Sequence, residues 1–243
     1  MKSVVIGASA GLGRALAEEL AARGHTLVLV ASDARDLDPL ARDLALRYGI
    51  AAEYIAVDLT NADPADLRAE ALRKAGGIDN LFWVAGGSTL DDAGPVPDAQ
   101  AERLIALNFT AAVRTINAFL PDLQDNPDAN VVGIGSVATC RGRRSNSVYA
   151  SAKRGLEFYF ETLRHHLARH RCRTQFYRMG YLVTRMTLGQ NLPFPAMEPR
   201  AAARKICGNL GRDRGAGYLP FWWFGIASLL QLLPWPVFRK LDI

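Results

Sequence analysis

A serine, a tyrosine and a lysine lie close together in the segment SVATCRGRRSNSVYASAK, residues 136–153. Tyr149 and Lys153 are four residues apart on a helical pattern, so their side chains share one face of the helix. A phenol is a poor acid-base catalyst at neutral pH, but an adjacent ammonium group stabilises the phenolate and lowers the phenol pKa. Ser136, at the end of a predicted strand, could donate a hydrogen bond to a carbonyl oxygen, and Asn108 could hold a water that connects Lys153 to solvent. Taken singly, the Tyr149–Lys153 spacing is weak and common on surface helices. Its combination with Ser136, thirteen residues before the tyrosine, with Asp58 and with a glycine-rich turn near the N-terminus is a strong signal of acid-base catalysis at a carbonyl group.

Three arginines, Arg141, Arg143 and Arg144, lie between this serine and this tyrosine. Most arginines are exposed, so the loop has a simple interpretation as a solvated basic segment. The alternative is an anion-binding site, because guanidinium groups pair bidentately with phosphate. On that alternative, we expect the three side chains to contact a phosphorylated or otherwise anionic substrate.

A glycine-rich turn, GASAGLGRAL, residues 7–16, follows the first predicted strand and opens the first predicted helix. Glycines lack a Cβ, so backbone N–H groups and the positive N-terminus of the helix can approach a pyrophosphate. A glycine triplet alone is weak, but a position between a strand and a helix is typical of dinucleotide binding. The residues predicted to bind the cofactor here are Gly7, Ser9, Gly11, Leu12 and Gly13.

The end of the second predicted strand, LVLVASDARD, bears on the choice between NAD and NADP. An acidic residue at this point binds the ribose hydroxyls of NAD, whereas a basic one accommodates the 2′-phosphate of NADP. Ala31 stands where the acid is expected, and Ser32 and Arg35, together with Arg14, could contact a 2′-phosphate. We therefore expect NADP(H) to be preferred over NAD(H), although Asp33 keeps NAD open and the arginines could equally be solvated.

Two further strand ends predict cofactor contacts. Asp58, in AVDL, is suitably placed for its carboxylate to accept a hydrogen bond from the adenine amino group. The stretch VAGG, residues 84–87, would let the backbone at Ala85 and Gly86 pass close to the cofactor. Both stretches could instead be ordinary turn chemistry, but their places in the strand and helix order favour the cofactor.

Short apolar runs alternate with longer segments of helical period along the chain. Continuous apolar strands separated by helices predict an α/β fold, a Rossmann-type doubly wound parallel sheet in a single domain. We expect the NAD(P)-binding domain over residues 1–217 and an apolar, aromatic C-terminal extension of the same domain over residues 218–243. The predicted strands are 3–7, 26–31, 52–59, 80–87, 130–138 and 173–180, with helices around 98–121 and 148–170.

Composition restricts the function further. The 243 residues carry 29 Lys and Arg against 24 Asp and Glu, a mild excess that could favour anionic ligands or an anionic membrane surface. No helix-turn-helix, zinc-finger or RNP-type pattern accompanies the charge, so we expect no nucleic-acid partner. The three cysteines are widely spaced and odd in number, which fits neither a disulfide framework nor a zinc site, and we expect no metal. The N-terminus leaves no room for a secretory signal, so we expect a cytoplasmic protein.

The extension YLPFWWFGIASLLQLLPWPVFRKLDI, from Tyr218 onward, is apolar and rich in tryptophan. Its unbroken apolar part is shorter than the roughly 20 residues of a spanning helix, and prolines limit its helical length. One interpretation is structural, with the segment completing a pocket or a subunit interface. The other is peripheral contact with the inner face of a membrane, with three tryptophans at headgroup depth and two basic residues towards anionic lipid: Trp222, Trp223, Trp235, Arg239 and Lys240.

Over essentially its whole length the chain resembles the short-chain dehydrogenase/reductase family, through the glycine turn, Asp58 and the Ser136, Tyr149 and Lys153 spacing. The resemblance implies a nicotinamide cofactor, a homo-oligomer, and a catalytic tetrad at Asn108, Ser136, Tyr149 and Lys153. It also implies that the cofactor delivers hydride to a carbonyl carbon while Tyr149 protonates the oxygen, with Lys153 binding the nicotinamide ribose. Thr184, in MGYLVT, would lie near the nicotinamide carboxamide. Two family positions differ, since Trp83-Val84 precede Ala85 and Met179 replaces a proline.

Short stretches, RGRRSNSVYASAKRGLEFY, VTRM and LPWPVFRKLDI, are similar to one branch of that family, the decaprenylphosphoryl-2-keto-ribose reductases. This likeness implies a keto-pentose on a polyprenyl phosphate as substrate and a flavin-dependent oxidase as partner. An alternative is a reductase of 3-ketoacyl or other lipid-like ketones. A second alternative is a non-catalytic nucleotide-binding scaffold, against which the intact tetrad argues.

Overall fold

Seven parallel strands form one continuous sheet in the computed structural model of the chain, which describes residues 1–89, 92–184, 187, 189 and 192–241. The order across the sheet is β3-β2-β1-β4-β5-β6-β7. This confirms the predicted single-domain α/β fold with a Rossmann-type doubly wound parallel sheet. The strands are β1 (Lys2–Ile6), β2 (Thr26–Ala31), β3 (Ala52–Ala56), β4 (Asn80–Trp83), β5 (Asn130–Ser136), β6 (Arg173–Met179) and β7 (Gly215–Leu219).

Helices connect the strands and cover both faces of the sheet. Local sequence signals set some of their ends. At the start of the third helix, α3 (Pro64–Ala75), Asp63 accepts a hydrogen bond from the N–H of Ala65, and Gly76 ends that helix in the left-handed region at φ +67°. The helices are α1 (Gly11–Ala22), α2 (Ala34–Tyr48), α3 (Pro64–Ala75), α4 (Asp98–Ile105), α5 (Ala111–Leu123), α6 (Ser147–Leu167), α7 (Pro199–Cys207), α8 (Trp223–Leu232) and α9 (Trp235–Phe238).

The core lies in two layers, one on each face of the sheet. Successive side chains of β1 alternate between them: Val4 and Ile6 join the layer with α3, α5 and α6, and Val5 joins the layer with α1, α2 and α7. All three are fully buried. Burial on both faces explains why the central strands are continuous apolar runs rather than alternating ones.

The C-terminal part of the sheet differs from the prediction. β7 was not predicted, because GAGYL is short and two of its five residues are glycines, which weaken a strand pattern. The boundary placed between residues 217 and 218 falls inside β7, so the extension begins within the sheet. The predicted strands 52–59 and 80–87 end earlier, at Ala56 and Trp83, and their remaining residues form loops.

The helix predicted around 98–121 contains a π-helical turn, Ala106–Thr110, between α4 and α5. The whole helical run, Asp98–Leu123, is long and apolar enough by length and composition to cross a membrane. Ile116 and Phe119 are fully buried in the layer that α5 forms with α3 and α6, so its apolar character is explained by its place in the core.

The extension folds as α8 and α9 against the domain. Trp223, Ala227 and Phe238 are buried, which fixes one side of the segment. In the same segment, five large apolar residues are more than half exposed: Phe221, Phe224, Leu229, Leu232 and Trp235. We call these five the apolar patch. So many exposed large apolar side chains within 15 residues of sequence mark a candidate contact surface.

Candidate active site

A cavity of about 1050 Å³ lies along the carboxyl ends of the strands, where open α/β sheets bind their ligands. Its wall brings together residues from the ends of β1 to β6. All predicted cofactor-binding residues except Arg35 line it, as does Ser136: Gly7, Ser9, Gly11, Leu12, Gly13, Ser32, Asp58, Ala85, Gly86, Tyr149, Lys153 and Thr184.

The glycines at the start of α1 are required by close backbone packing. Gly7 has φ +94°, and a Cβ there would lie 2.6 Å from the backbone N of Ala85. A Cβ on Gly13 would overlap the carbonyl oxygen of Gly7, and one on Gly11 would lie 3.2 Å from the Thr184 methyl group. The turn therefore keeps its backbone N–H groups accessible at a helix N-terminus, which fits a dinucleotide pyrophosphate.

At the adenosine end of the cavity, Ser32 lies in the wall, but the next charged residues in the sequence, Asp33 and Arg35, do not. Ser32 lines the cavity, whereas the Arg35 guanidinium pairs with the Asp33 carboxylate, Nη2 to Oδ2 2.7 Å, away from the wall. Asp33 also accepts the N–H of Arg35 and begins α2. The hydrogen bonds from Arg35 hold the pKa of Asp33 below its usual value. Neither Arg35 nor Asp33 thus faces the cavity, and Ser32 is the polar side chain there.

Asp58 lies on the cavity wall just after β3. Its carboxylate accepts hydrogen bonds from the N–H and the hydroxyl of Thr60, at 2.9 and 2.7 Å, and from Asn61. The backbone hydrogen bond from Thr60, followed by its hydroxyl, keeps the pKa of Asp58 below its usual value. The carboxylate is therefore ionised at neutral pH and able to accept a hydrogen bond from an amino group.

Tyr149 and Lys153 lie on one face of α6, as their spacing predicts, beside the end of β5. Burial raises the pKa of Tyr149, and a hydrogen bond with Ser136 opposes that rise. Ser136 Oγ also accepts the N–H of Ala138 at 3.1 Å. The Ser136 hydroxyl still has its proton to donate, so it can form a hydrogen bond to a substrate carbonyl group.

The Lys153 ammonium group is buried next to the sheet. It donates to the carbonyl of Ile134 at 3.1 Å and to that of Ala85 at 3.4 Å. Burial lowers the pKa of Lys153 to about 8. At neutral pH the group is thus still mainly charged, and it lines the same cavity as Tyr149.

Asn108 lies in the π-helical turn and supports the loop after β4. Its amide donates to the carbonyls of Gly87 and Leu104, and its oxygen accepts the N–H of Gly87. A Cβ on Gly86 would lie 2.7 Å from Asn108 Oδ1 and 2.8 Å from Lys153 Nζ. Asn108, Gly86 and Lys153 are therefore packed together, while the water link assigned to Asn108 stays a prediction.

One residue of the site was missed by the sequence reasoning. Asp92 is buried, and its carboxylate accepts hydrogen bonds from the N–H groups of Val148 and Tyr149 and from the Ser147 hydroxyl. Burial alone would raise the pKa of Asp92, but these hydrogen bonds together hold it below its usual value. Asp92 therefore caps α6 from a distant loop. Only the loop position of this acid was visible in the sequence.

The three arginines between Ser136 and Tyr149 have different environments. Arg141 donates from Nη1 to the carbonyls of Leu230 and Leu233, and its guanidinium lies 3.9 Å from the centre of the Phe238 ring. Arg141 is not among the residues that line the cavity, and these contacts tie the C-terminal segment to the domain. Arg143 lines the cavity, and Arg144 is exposed beside it.

Trp223 of the C-terminal segment packs against two residues of the cavity wall, Gly180 and Tyr181. A Cβ on Gly180 would overlap the Trp223 indole, and the ring also meets Tyr181 edge-on at 5.7 Å. Gly180 and Tyr181 line the cavity just before Thr184. The extension therefore helps to position the loop that carries Thr184.

The comparisons with known proteins agree with this geometry. The model of the short chain dehydrogenase family matches residues 2–192. An uncharacterized oxidoreductase of Myxococcus xanthus is 31% identical over 239 residues, covering 97% of this chain and 94% of that protein. A very-long-chain 3-oxoacyl-CoA reductase of Neurospora crassa is 30% identical over 234 residues, covering 90% of this chain and 69% of that protein.

Among solved structures, a short-chain dehydrogenase from Sphingobium yanoikuyae in complex with NADPH superposes with a TM-score of 0.83. It is 28% identical, and the match covers 99% of this chain and 96% of that one. The likeness therefore extends through α8 and α9 as well as the sheet.

Proposed function

The chain belongs to the short-chain dehydrogenase/reductase family and is an NAD(P)-dependent oxidoreductase, and we propose that it reduces a ketone to a secondary alcohol. The observation that carries this proposal is that Ser136, Tyr149 and the buried Lys153 line the wall of the same large cavity. The glycine turn at the other end of that cavity fits the pyrophosphate of a dinucleotide.

The residues of the site supply the proton and stabilise the charge. When bound, the nicotinamide cofactor supplies the hydride that adds to the carbonyl carbon. Tyr149, which as a phenol is protonated at neutral pH, donates its proton to the carbonyl oxygen, which completes the alcohol. Ser136 donates a hydrogen bond to the oxygen on which charge develops. Lys153 stabilises the phenolate that remains on Tyr149.

NADP(H) is the cofactor we propose over NAD(H). Ser32 faces the cavity where an acid would repel a 2′-phosphate, and the nearby Asp33 carboxylate is engaged by Arg35 and α2. The solved structure from Sphingobium yanoikuyae holds NADPH, which supports the same preference.

The substrate we propose is the 2-keto group of a pentose linked to a polyprenyl phosphate, with a flavin-dependent oxidase as the enzyme that supplies the ketone. Arg143 on the cavity wall supports an anionic substrate, and the apolar patch supports a lipid-linked one. The alternative is a 3-oxoacyl thioester, favoured by the likeness to the very-long-chain 3-oxoacyl-CoA reductase.

The apolar patch fits an anionic membrane surface. In the sequence, no Asp or Glu occurs between residues 214 and 241, while Arg239 and Lys240 lie at the end of that stretch. Apolar side chains entering the headgroup region, with cations towards anionic lipid, are the usual features of a peripheral contact. Such a contact would bring the cavity to a lipid-borne ketone.

The test is NADPH oxidation with three ketones: a keto-pentose on farnesyl phosphate, a 3-oxoacyl-CoA and a small neutral ketone. Tyr149→Phe should reduce turnover by about 10²-fold or more, because the proton donor is lost, while NADPH binding persists. A phenylalanine variant of near-normal rate would refute the mechanism. NADPH binding by the wild type without oxidation of any ketone would favour the non-catalytic scaffold.

A further inference from the structure

A second cavity, of about 800 Å³, adjoins the active-site cavity on the outer side of the loop after β5. The two cavities share Ala138, Arg143 and Asn146 as wall residues. We call the second one the arginine cavity, since four arginines line it. Its walls are Ala138, Thr139, Gly142, Arg143, Arg144, Asn146, Ser147, Ala150, Ser151, Arg154, Trp235, Phe238, Arg239 and Leu241.

The described wall of the arginine cavity is positively charged. Among its described wall residues there are four arginines and no acidic side chain. One of the four, Arg154, pairs with the buried Glu157, which also accepts from Arg178 and Thr139. Asp92 binds the first turn of α6. Cations grouped in a concave, partly apolar site attract and hold anions.

Arg143, which lines both cavities, has a buried hydrogen-bond donor without an acceptor in the described part of the chain. Its Nε is buried, and it has no hydrogen-bond partner among the described residues. A buried donor without a partner costs free energy comparable to a lost hydrogen bond, so an acceptor is expected in the native complex. An anion in the arginine cavity would supply that acceptor.

Part of the wall is aromatic, and other contacts hold it in place. The Trp235 and Phe238 rings lie 6.2 Å apart, and the Arg141 guanidinium stacks on Phe238 while bonding the carbonyls of Leu230 and Leu233. Arg141 therefore fixes the wall rather than the ligand. Arginines facing aromatic rings suit a phosphate attached to an apolar or planar group.

We propose that the arginine cavity binds the phosphate ester of the substrate while the ketone lies at Tyr149. This inference rests on the proposed function and adds a location for the anionic group. The phosphate ester could belong to a prenyl phosphate or to coenzyme A, because both join phosphate to an apolar or planar group.

The test is direct binding to the full chain, with the cofactor cavity saturated by NADP⁺. Calorimetry would compare farnesyl phosphate, coenzyme A, inorganic phosphate and farnesol as probes. Either phosphate ester should bind more tightly than inorganic phosphate and farnesol. Arg239→Gln and Arg143→Gln should each weaken that binding about tenfold or more, since each removes a charge-assisted contact. The control Arg42→Gln, an exposed arginine on α2, should leave it unchanged.

The outcomes separate the two proposals. Binding of farnesyl phosphate alone identifies a lipid phosphate, and binding of coenzyme A alone identifies an acyl thioester. Esters that bind no better than inorganic phosphate, or equal affinities in the wild type and both arginine variants, would overturn the arginine cavity as a site even if ketones are reduced. Conversely, phosphate-ester binding that persists in a wild type unable to reduce any ketone would overturn the proposed function alone.

Discussion

The backbone N–H of Tyr149 donates a 2.8 Å hydrogen bond to the carboxylate of Asp92. The same carboxylate accepts the N–H of Val148 at 2.9 Å and the hydroxyl of Ser147. Donors at the first turn of a helix have no partner within that helix, so an acid from outside both satisfies them and complements the helix dipole. The loop before α4 thereby fixes the turn of α6 that carries the proton donor.

Asp92→Ala should therefore lower both stability and catalysis. Leaving these buried donors without an acceptor should cost about 1–3 kcal/mol of unfolding free energy, measured in urea. kcat should also fall, because Tyr149 is no longer held in position, and Asp92→Asn should recover part of both. Asp63→Ala, which removes the cap of α3, is the control and should lower stability alone. Equal kcat in the Ala variants of Asp92 and Asp63 would show that Asp92 has no positioning role.

Gly13→Ala should weaken cofactor binding. A Cβ at Gly13 overlaps the carbonyl of Gly7, so the turn must open and its N–H groups must move. We expect the Kd for NADPH, measured by fluorescence titration, to rise about tenfold or more. Gly225→Ala, where a Cβ meets no atom within 4 Å, is the matched control. Unchanged NADPH affinity in Gly13→Ala would contradict the assignment of this turn to the pyrophosphate.

Lys153→Met should change how stability depends on pH. The pKa of Lys153 is about 8 in the folded chain and near 10.5 when unperturbed. Between these two pH values the unfolded chain binds more protons than the folded chain, so the wild type gains stability as pH rises. The free-energy cost of burying the charged Lys153 side chain is greatest below pH 8. The variant lacks this charge, so its stability relative to the wild type should fall by about 3 kcal/mol as pH rises through that window. Unfolding free energies, measured in urea at each pH, whose difference between wild type and variant stays constant from pH 8 to 10.5 would contradict a buried charge at Lys153.

Ser32→Asp should reverse the cofactor preference. A carboxylate on the cavity wall would repel a 2′-phosphate and could bind ribose hydroxyls instead. The KM for NADPH should rise about tenfold or more, with little change for NADH. Steady-state kinetics with both cofactors would measure the ratio. An equal change in the KM values for NADPH and NADH would show that the ribose 2′-position of the cofactor does not lie near Ser32.

Phe221→Ser combined with Leu232→Ser should weaken membrane binding. Both side chains are 81% exposed in the apolar patch. Vesicles of phosphatidylcholine and phosphatidylglycerol in equal parts should sediment the wild type but much less of the double variant. Leu46→Ser is the control, because Leu46 is 87% exposed on α2. Equal sedimentation of all three proteins with the vesicles would refute the membrane contact. It would also be refuted if the wild type were a dimer in solution and the double variant a monomer, because the apolar patch would then be a subunit interface.

The sequence predicted the sheet and most of the cavity wall for a physical reason. Parallel strands bring their carboxyl ends to one edge, so the residues just after each apolar run must meet there. The spacing between Tyr149 and Lys153 likewise places both on one face of any helix. The sequence did not predict β7, because two of its five residues are glycines and so short a segment shows no clear alternation of apolar and polar residues.

The remainder of the site depends on contacts between distant segments. Asp92 caps a helix that begins 55 residues later, and the partners of Arg141 lie in α8 and just after it. Neither pairing leaves a periodic signal in the sequence. The three arginines looked equivalent there, and only the packing of the C-terminal segment separates Arg141 from Arg143.

The π-helical turn Ala106–Thr110 contains one residue more than an α-helical turn would need. Removing a single residue from it would let α4 and α5 merge into one regular helix, with better hydrogen-bond geometry throughout. It would also rotate the helix on one side by roughly 100°, so Asn108 could no longer face Gly87 and Lys153. The extra residue in the π-helical turn therefore sets the direction of the Asn108 side chain. The length of this helical run thus determines whether Asn108 can bond the loop after β4.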